Sequence, residues 1–178
     1  DLLTAEVALS QNDLNTLSAL DAADDRGQAV MLRYQGLDRK LGKSKYQWSS
    51  SGLYEYRQRH FTDIDPYRAV EFERDWSVQA YQPNDTLVAD EDDHLLSGTV
   101  NVKKDQLNAF TYQWIGRSRQ QALQGQQHRL NLRKSVGLLQ LKGDAFLMGS
   151  EQQRRASDWK RFTVEAYLRA DRLQPGYR

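Results

Sequence analysis

The sequence predicts a mainly β protein, an antiparallel sandwich or partial barrel with N-terminal helices, of which an α+β fold with those helices packed on one sheet face is the close variant. Three observations carry that expectation. Apolar and polar residues alternate with period two from about residue 45 onward. Turn-forming clusters punctuate the alternation. The helices that a parallel sheet needs between its strands are missing.

The first 42 residues read as a helical segment and residues 43–178 as the antiparallel β domain. Ser10 followed by Asp13 resembles a helix cap with an acid three residues on, and Leu14, Leu17, Leu20 and Ala23 would line one face. Val30, Tyr34, Leu37 and Leu41 continue at helical spacing before Gly42. The apolar run Ala29–Leu32 makes a strand over Gln28–Gln35 the alternative.

Beyond Lys45 the strands are read from alternation. Tyr46 and Trp48 are followed by Tyr54 and Tyr56. Arg68–Tyr81 alternates Val70, Phe72, Trp76, Val78 and Ala80 with polar residues, as a long half-buried strand does. Pro83-Asn84-Asp85 breaks it, and the acidic stretch Asp90–Asp93 sits in the longest expected loop. Gly98–Val102 and Leu107–Ile115 form the best hairpin, with Lys103–Gln106 as its turn. Arg117–Gln127 reads as a short helix or a loop. Strands follow at His128–Arg133, Gly137–Leu141 and Ala145–Met148, the last two split at Lys142-Gly143-Asp144, and Ser150 with Gln153 suggests a short helix. Phe162–Arg169 closes the series.

At 178 residues, 39% hydrophobic and 28% charged, the chain fits one globular domain with a core of its own. No run reaches the roughly 18 apolar residues of a membrane helix, so no integral membrane segment is expected. The first residue is Asp1, which keeps an exported mature protein in view. With no Cys there is no disulfide, thiolate nucleophile or Cys zinc site, and either redox compartment would suit it. Seventeen Arg against eight Lys, with 18 Gln, suggest a bacterial source.

Charge is divided unevenly along the chain. Residues 1–116 carry 12 basic and 19 acidic side chains and residues 117–178 carry 13 and 5, giving about −7 and +8. Arg117, Arg119, Arg129, Arg133, Lys134, Arg154 and Arg155 are the candidate partner-binding residues, able to attract an anionic polymer such as nucleic acid or a cell-wall glycan. Interleaved strands that cancel the field are the plain alternative. Most strand aromatics are expected in the core, and Tyr54, Tyr81 and Tyr167 are the candidates for exposed, stacking rings.

Catalytic and metal motifs are weak or absent. Gly42-Lys43-Ser44 lacks the upstream Gly and the following helix of a phosphate loop. Asp90, Asp92 and Asp93 offer the hard oxygen ligands of a weak cation site, but without the sharp Gly turn and closing bidentate acid of a calcium loop. His60, His94 and His128 stand in three different elements with no ligand spacing. No Gly-x-Ser-x-Gly elbow occurs. A carbohydrate-active enzyme would draw a carboxylate pair from Glu71, Glu73 and Asp75. No cofactor motif is present.

The Tyr67–Gln79 stretch ending in Trp-Ser-Val-Gln, together with the hairpin from Ser97 to Trp114, resembles the middle of the CsiV family of periplasmic peptidoglycan-binding proteins over about a quarter of the chain. The closing His-Tyr-Leu-Asp-His-Pro stretch and the opening strand of that family are absent. The functional expectation is a non-enzymatic binding or assembly module of a bacterial envelope or multi-subunit particle. It would contact a protein partner or self-associate, in the periplasm or at the envelope. The alternatives are an anionic-polymer binder and a carbohydrate-active enzyme.

Overall fold

The computed structural model describes residues 1–11, 26–63, 68, 72–77, 91–120, 122–152 and 155–168. Its strands are β1 (Leu2–Gln11), β2 (Arg26–Gln35), β3 (Arg39–Lys40), β4 (Gln47–Arg57), β5 (Asp93–Asp105), β6 (Asn108–Arg119), β7 (Leu123–Val136), β8 (Leu139–Gln152) and β9 (Arg155–Leu168). All belong to one antiparallel sheet in the order β1-β2-β4-β5-β6-β7-β8-β9, with β3 as a short addition to β4. Antiparallel β structure is therefore as the sequence predicts, but as a single meander; the described residues contain no second sheet.

The N-terminal helices are not seen. Leu2–Gln11 is a strand with the expected cap Ser10 inside it, and residues 12–23 of the first expected helix lie outside the described residues. Val30 and Tyr34 belong to β2, the strand that was the alternative reading. The reason is tertiary: β2 pairs along its whole length with β1 and over seven residues with β4, and those ladders outweigh a helical spacing of four apolar residues. Residues 72–77 form turns and a 3₁₀ helix at Arg74–Trp76 rather than part of a long strand, with Ser77 left-handed at φ 56°. Residues 69–71 and 78–81 of that expectation lie outside the described residues.

Two further boundaries move. The turn between the C-terminal strands is Gly137-Leu138, not Lys142–Asp144. Gly137 has φ 60°, and Gly at the first of two central residues is what a type II′ hairpin requires. Strand β8 then runs uninterrupted through Gly143 and past Ser150, so the short helix there gives way to strand. Likewise Arg117–Arg119 and Leu123–Gln127 are strand, joined by a tight connection in which Ala122 N–H donates to the Arg119 carbonyl.

Because opposed residues in a ladder share a face, the pairing separates the sheet into two chemically distinct faces. One carries Leu3, Val7 and Leu9 of β1, Val30 and Leu32 of β2, Tyr54 of β4, Leu96 and Val100 of β5, and Tyr112 and Trp114 of β6. It continues through Leu130 and Leu132 of β7 and Leu139 and Leu141 of β8 to Phe162, Val164 and Leu168 of β9. The other carries Ser51, Glu55, Thr99, Gln113, Arg117, Arg129, Arg133, Asp144 and Arg161 among its residues.

The apolar face is the uncovered one. Leu9 is 79% exposed and Val164 80%. The buried cluster of Trp76, Leu95 and Leu123, with Phe72 and Ile115 against it, lies on the polar face, beneath the segment that precedes β5. The expectation that the strand aromatics form a core under a second layer is thus corrected. Tyr112 and Trp114 are half-buried by neighbours within their own sheet, as is Tyr54, one of the rings expected to be exposed.

Gly27 sets how closely the chain after β4 approaches the sheet. A Cβ there would lie 2.2 Å from the Phe61 backbone, and no side-chain adjustment relieves a backbone clash. Gly27→Ala is expected to lower stability by about 1–3 kcal/mol, the usual cost of overpacking, read as a shift in denaturation midpoint; an unchanged midpoint would show that residues 58–61 are not seated on β2.

Candidate functional site

Strands β4, β5 and β6 bring Glu55, Asp93, Arg117 and Arg119 together at one end of the polar face, and Arg68 and residues 72–77 close over them. Arg117 is the centre. Its Nε and Nη2 donate to Asp93 at 3.1 and 2.8 Å, and its Nη1 and Nη2 donate to the two oxygens of Glu73 at 3.1 and 2.7 Å. Arg119 Nη2 donates to Glu73 at 2.8 Å and to Asp93 at 3.2 Å. Arg68 Nη1 reaches Asp93 at 2.6 Å and its Nη2 reaches Glu55 at 3.3 Å. The Arg117 side chain is 0% exposed and that of Asp93 4%. Two paired charges so far from water persist only because each is hydrogen-bonded on several sides.

Aromatic rings complete this latch. The guanidinium carbons of Arg68 and Arg117 each lie 4.5 Å from the Phe72 ring centroid. Trp76 is 1% exposed and rests on Gly125, where an added Cβ would meet its ring at 3.0 Å. Gln127 Nε2 donates to the Asp75 carbonyl at 2.8 Å. Residues 72–77 are therefore held on the sheet by residues of three strands, β5, β6 and β7.

Glu73 was a candidate carboxylate for sugar cleavage. Burial raises its proton affinity, but the hydrogen bonds and charges of Arg117 and Arg119 outweigh burial and hold its carboxyl below the ordinary range. A general acid needs the opposite shift.

The other sequence candidates separate between faces. Arg129, Arg133 and Arg155 lie on the polar face with Tyr167, whereas Lys134 and Tyr54 lie on the apolar one. Lys134 Nζ donates to the Tyr46 hydroxyl at 3.1 Å. Arg154, Tyr81 and Asp90 lie outside the described residues. In the described part of the acidic stretch Asp92 accepts hydrogen bonds from the Tyr56 hydroxyl and the Arg59 N–H, Asp93 is taken up by arginines, and no group of three metal-binding side chains occurs among the described residues. His94 and His128 do not converge. Each shares a hydrogen bond between Nδ1 and a tyrosine hydroxyl, Tyr54 at 3.0 Å and Tyr112 at 2.8 Å.

Arg68, Phe72, Glu73 and Trp76 escape a reading by alternation, because the same residues fit a strand. No family model, curated protein or solved structure matches this chain.

Removing the guanidinium of Arg117 leaves Asp93 buried without its main partner. Arg117→Met is expected to cost about 3–5 kcal/mol, measured by denaturant titration; a loss below about 1 kcal/mol would mean that the latch is not a unit. The depressed Glu73 carboxyl sets a sign for pH. Its contribution is complete above the unfolded carboxyl value of about 4.3 and is lost as pH falls through the lower folded value. Acidification from pH 5 toward pH 2 should therefore expose Trp76, seen as a red shift in the emission of a variant that keeps this Trp alone, and Glu73→Gln should remove Glu73's share of the acid dependence, leaving that of Asp93, whose carboxyl the arginines also hold below the ordinary range.

Proposed function

We propose that this chain is part of the wall of a transmembrane β-barrel of a bacterial envelope, its apolar face in lipid and its polar face lining a water-filled lumen narrowed by residues 72–77. The observation that carries the reading is the inversion of the sheet: the apolar side is uncovered, while the ion network and small core occupy the polar side. Each large apolar side chain left in water forgoes about 1.5–3 kcal/mol, and a patch crossing eight strands far exceeds what a monomer in water normally exposes. Among the described residues no helix is long and apolar enough to cross a membrane, a fact that leaves spanning by strands open.

The cover is argued to be lipid from the slant of the apolar band. On β1 the band runs Leu3–Leu9 and on β9 Phe162–Leu168. Followed along the register, Glu6 at the first centre arrives at Ser157, eight residues short of the second centre at Glu165. Over seven steps between neighbouring strands that is about 26 Å along the strands against about 34 Å across them. The band therefore slants by about 38°, within the 35–45° at which strands of membrane barrels tilt.

Length and polarity agree with this. The long strands have 10 to 14 residues, where a tilted crossing needs about 9–11. Charges on the apolar face fall toward its margins, with Glu151, Asp158 and Lys160 at one end and Lys134 near the other. On this face two imidazoles each have Nδ1 hydrogen-bonded to a tyrosine hydroxyl, which lowers the cost of placing them in a medium without water. The two longest connections, 12–25 and 58–92, leave from one end of the sheet, which the short 120–122 and 153–154 connections share, and residues 36–46, 106–107 and 137–138 connect strands at the other; long loops on one side are a feature of outer-membrane barrels.

Four tryptophans test the reading: Trp48 and Trp114 stand on the apolar face, Trp76 and Trp159 on the polar face. In single-Trp variants reconstituted with brominated lipid, Trp48 and Trp114 are expected to lose most of their fluorescence and Trp76 and Trp159 little. Equal quenching on both faces, or none on the apolar face together with a soluble dimer, would transfer the cover from lipid to a second protein surface.

A further inference from the structure

We propose that Arg129, Phe146 and Arg161 form a binding site for an acidic saccharide on the polar face. The inference rests on the lumen reading above. The three residues occupy one row of the sheet, Arg129 opposite Phe146 and Phe146 opposite Arg161. Their guanidinium carbons lie 5.4 and 6.0 Å from the Phe146 ring centroid, so one ring holds two cations at a fixed spacing.

Neither arginine has a carboxylate partner among the described residues; Arg129 donates only to the Gln127 amide oxygen, at 3.4 Å. Elsewhere on this face several cations are compensated. Arg117 and Arg119 are bound by Glu73 and Asp93, and Lys142 lies 3.3 Å from Glu165 and 4.0 Å from Asp144. Arg33 and Arg133 also lie on this face without a carboxylate partner among the described residues, but the Arg129–Phe146–Arg161 row sets two such guanidinium groups on one ring, and guanidinium forks match carboxylates in two-point geometry.

The rest of the row favours a sugar over other anions. Beyond Arg129 it continues through Gln113, Thr99 and Ser51, an uncharged run of amide and hydroxyl groups suited to sugar hydroxyls. Trp159 meets Phe146 edge-on, at 6.5 Å and 72°, and is 58% exposed, leaving one indole against which the apolar face of a pyranose can lie. Single-stranded nucleic acid needs successive free rings, whereas the Phe146 ring already carries both arginines. A carboxylate-rich peptide would leave the hydroxyl and amide run without partners.

The test is titration of the full chain, reconstituted in lipid, with an oligogalacturonate, followed by calorimetry and by Trp159 emission. Binding is expected to weaken at least tenfold in R129Q/R161Q, to survive in part in R129K/R161K, and to weaken with salt. A neutral maltodextrin of equal length should bind at least tenfold less tightly. Equal binding of maltodextrin, tighter binding of oligothymidylate or polyglutamate, or an unchanged R129Q/R161Q titration would overturn the site. Because lipid quenching of Trp48 and Trp114 is read on the same samples without saccharide, failure of the wall reading and failure of the site give different results.

Discussion

Antiparallel pairing without a break from β1 to β9 obliges every residue in a row to share one face, and the remaining architecture depends on that constraint. A shift of one residue between β6 and β7 would send Leu130 and Leu132 to the side of Arg117 and Asp93. The two faces would then each be half apolar and half charged. Pairing over 11 residues between β4 and β5 and 13 between β7 and β8 makes such a slip costly in ladder hydrogen bonds as well as in side-chain environment.

The latch on the polar face shows how little conventional core this arrangement needs. Trp76, Leu95 and Leu123 are buried because residues 72–77 fold back over β5, β6 and β7, not because two layers meet. The latch joins opposite chemistries at short range, with an indole on Gly125 beside an arginine that touches two carboxylates. Its apolar part excludes the water that would otherwise screen the ion network, and the network fixes the position of the segment that supplies the apolar part. Neither half would be stable alone.

Much of this was legible in the sequence. Alternation at Tyr54 and Tyr56, Leu107–Ile115 and Phe162–Leu168 marks strands that the structure contains, because period two is a backbone property. The side on which each face lies relative to its surroundings was not legible. Alternation reports two faces but not which of them is covered, and with a mean hydropathy of −0.82 the chain reads as an ordinary water-exposed domain. Glycines misled for a related reason: Gly143 suggests a turn between polar neighbours, whereas in β8 it is a gap beside Leu132. The latch was hidden because Phe72 and Trp76, four residues apart, satisfy a strand and a tight turn equally well.

The division of charge along the chain also takes on a structural meaning. The excess of acid before residue 117 and of base after it does not produce two opposed ends of a molecule. Pairing brings Asp93 of the acidic part beside Arg117 and Arg119 at the start of the basic part, and Glu73 joins them from the connection before β5. That cancellation uses the first two arginines of the basic third and stops there. Further along the same face, Arg129 and Arg161 meet an aromatic ring instead of a carboxylate. Since one strand alternation and one register place all four arginines on the polar side, the difference between a sealed ion network and an open cationic row is set by how far residues 72–77 reach across the sheet. Residues 72–77 cover the row of Arg117 and Gly125 and reach Gln127, one row from Arg129.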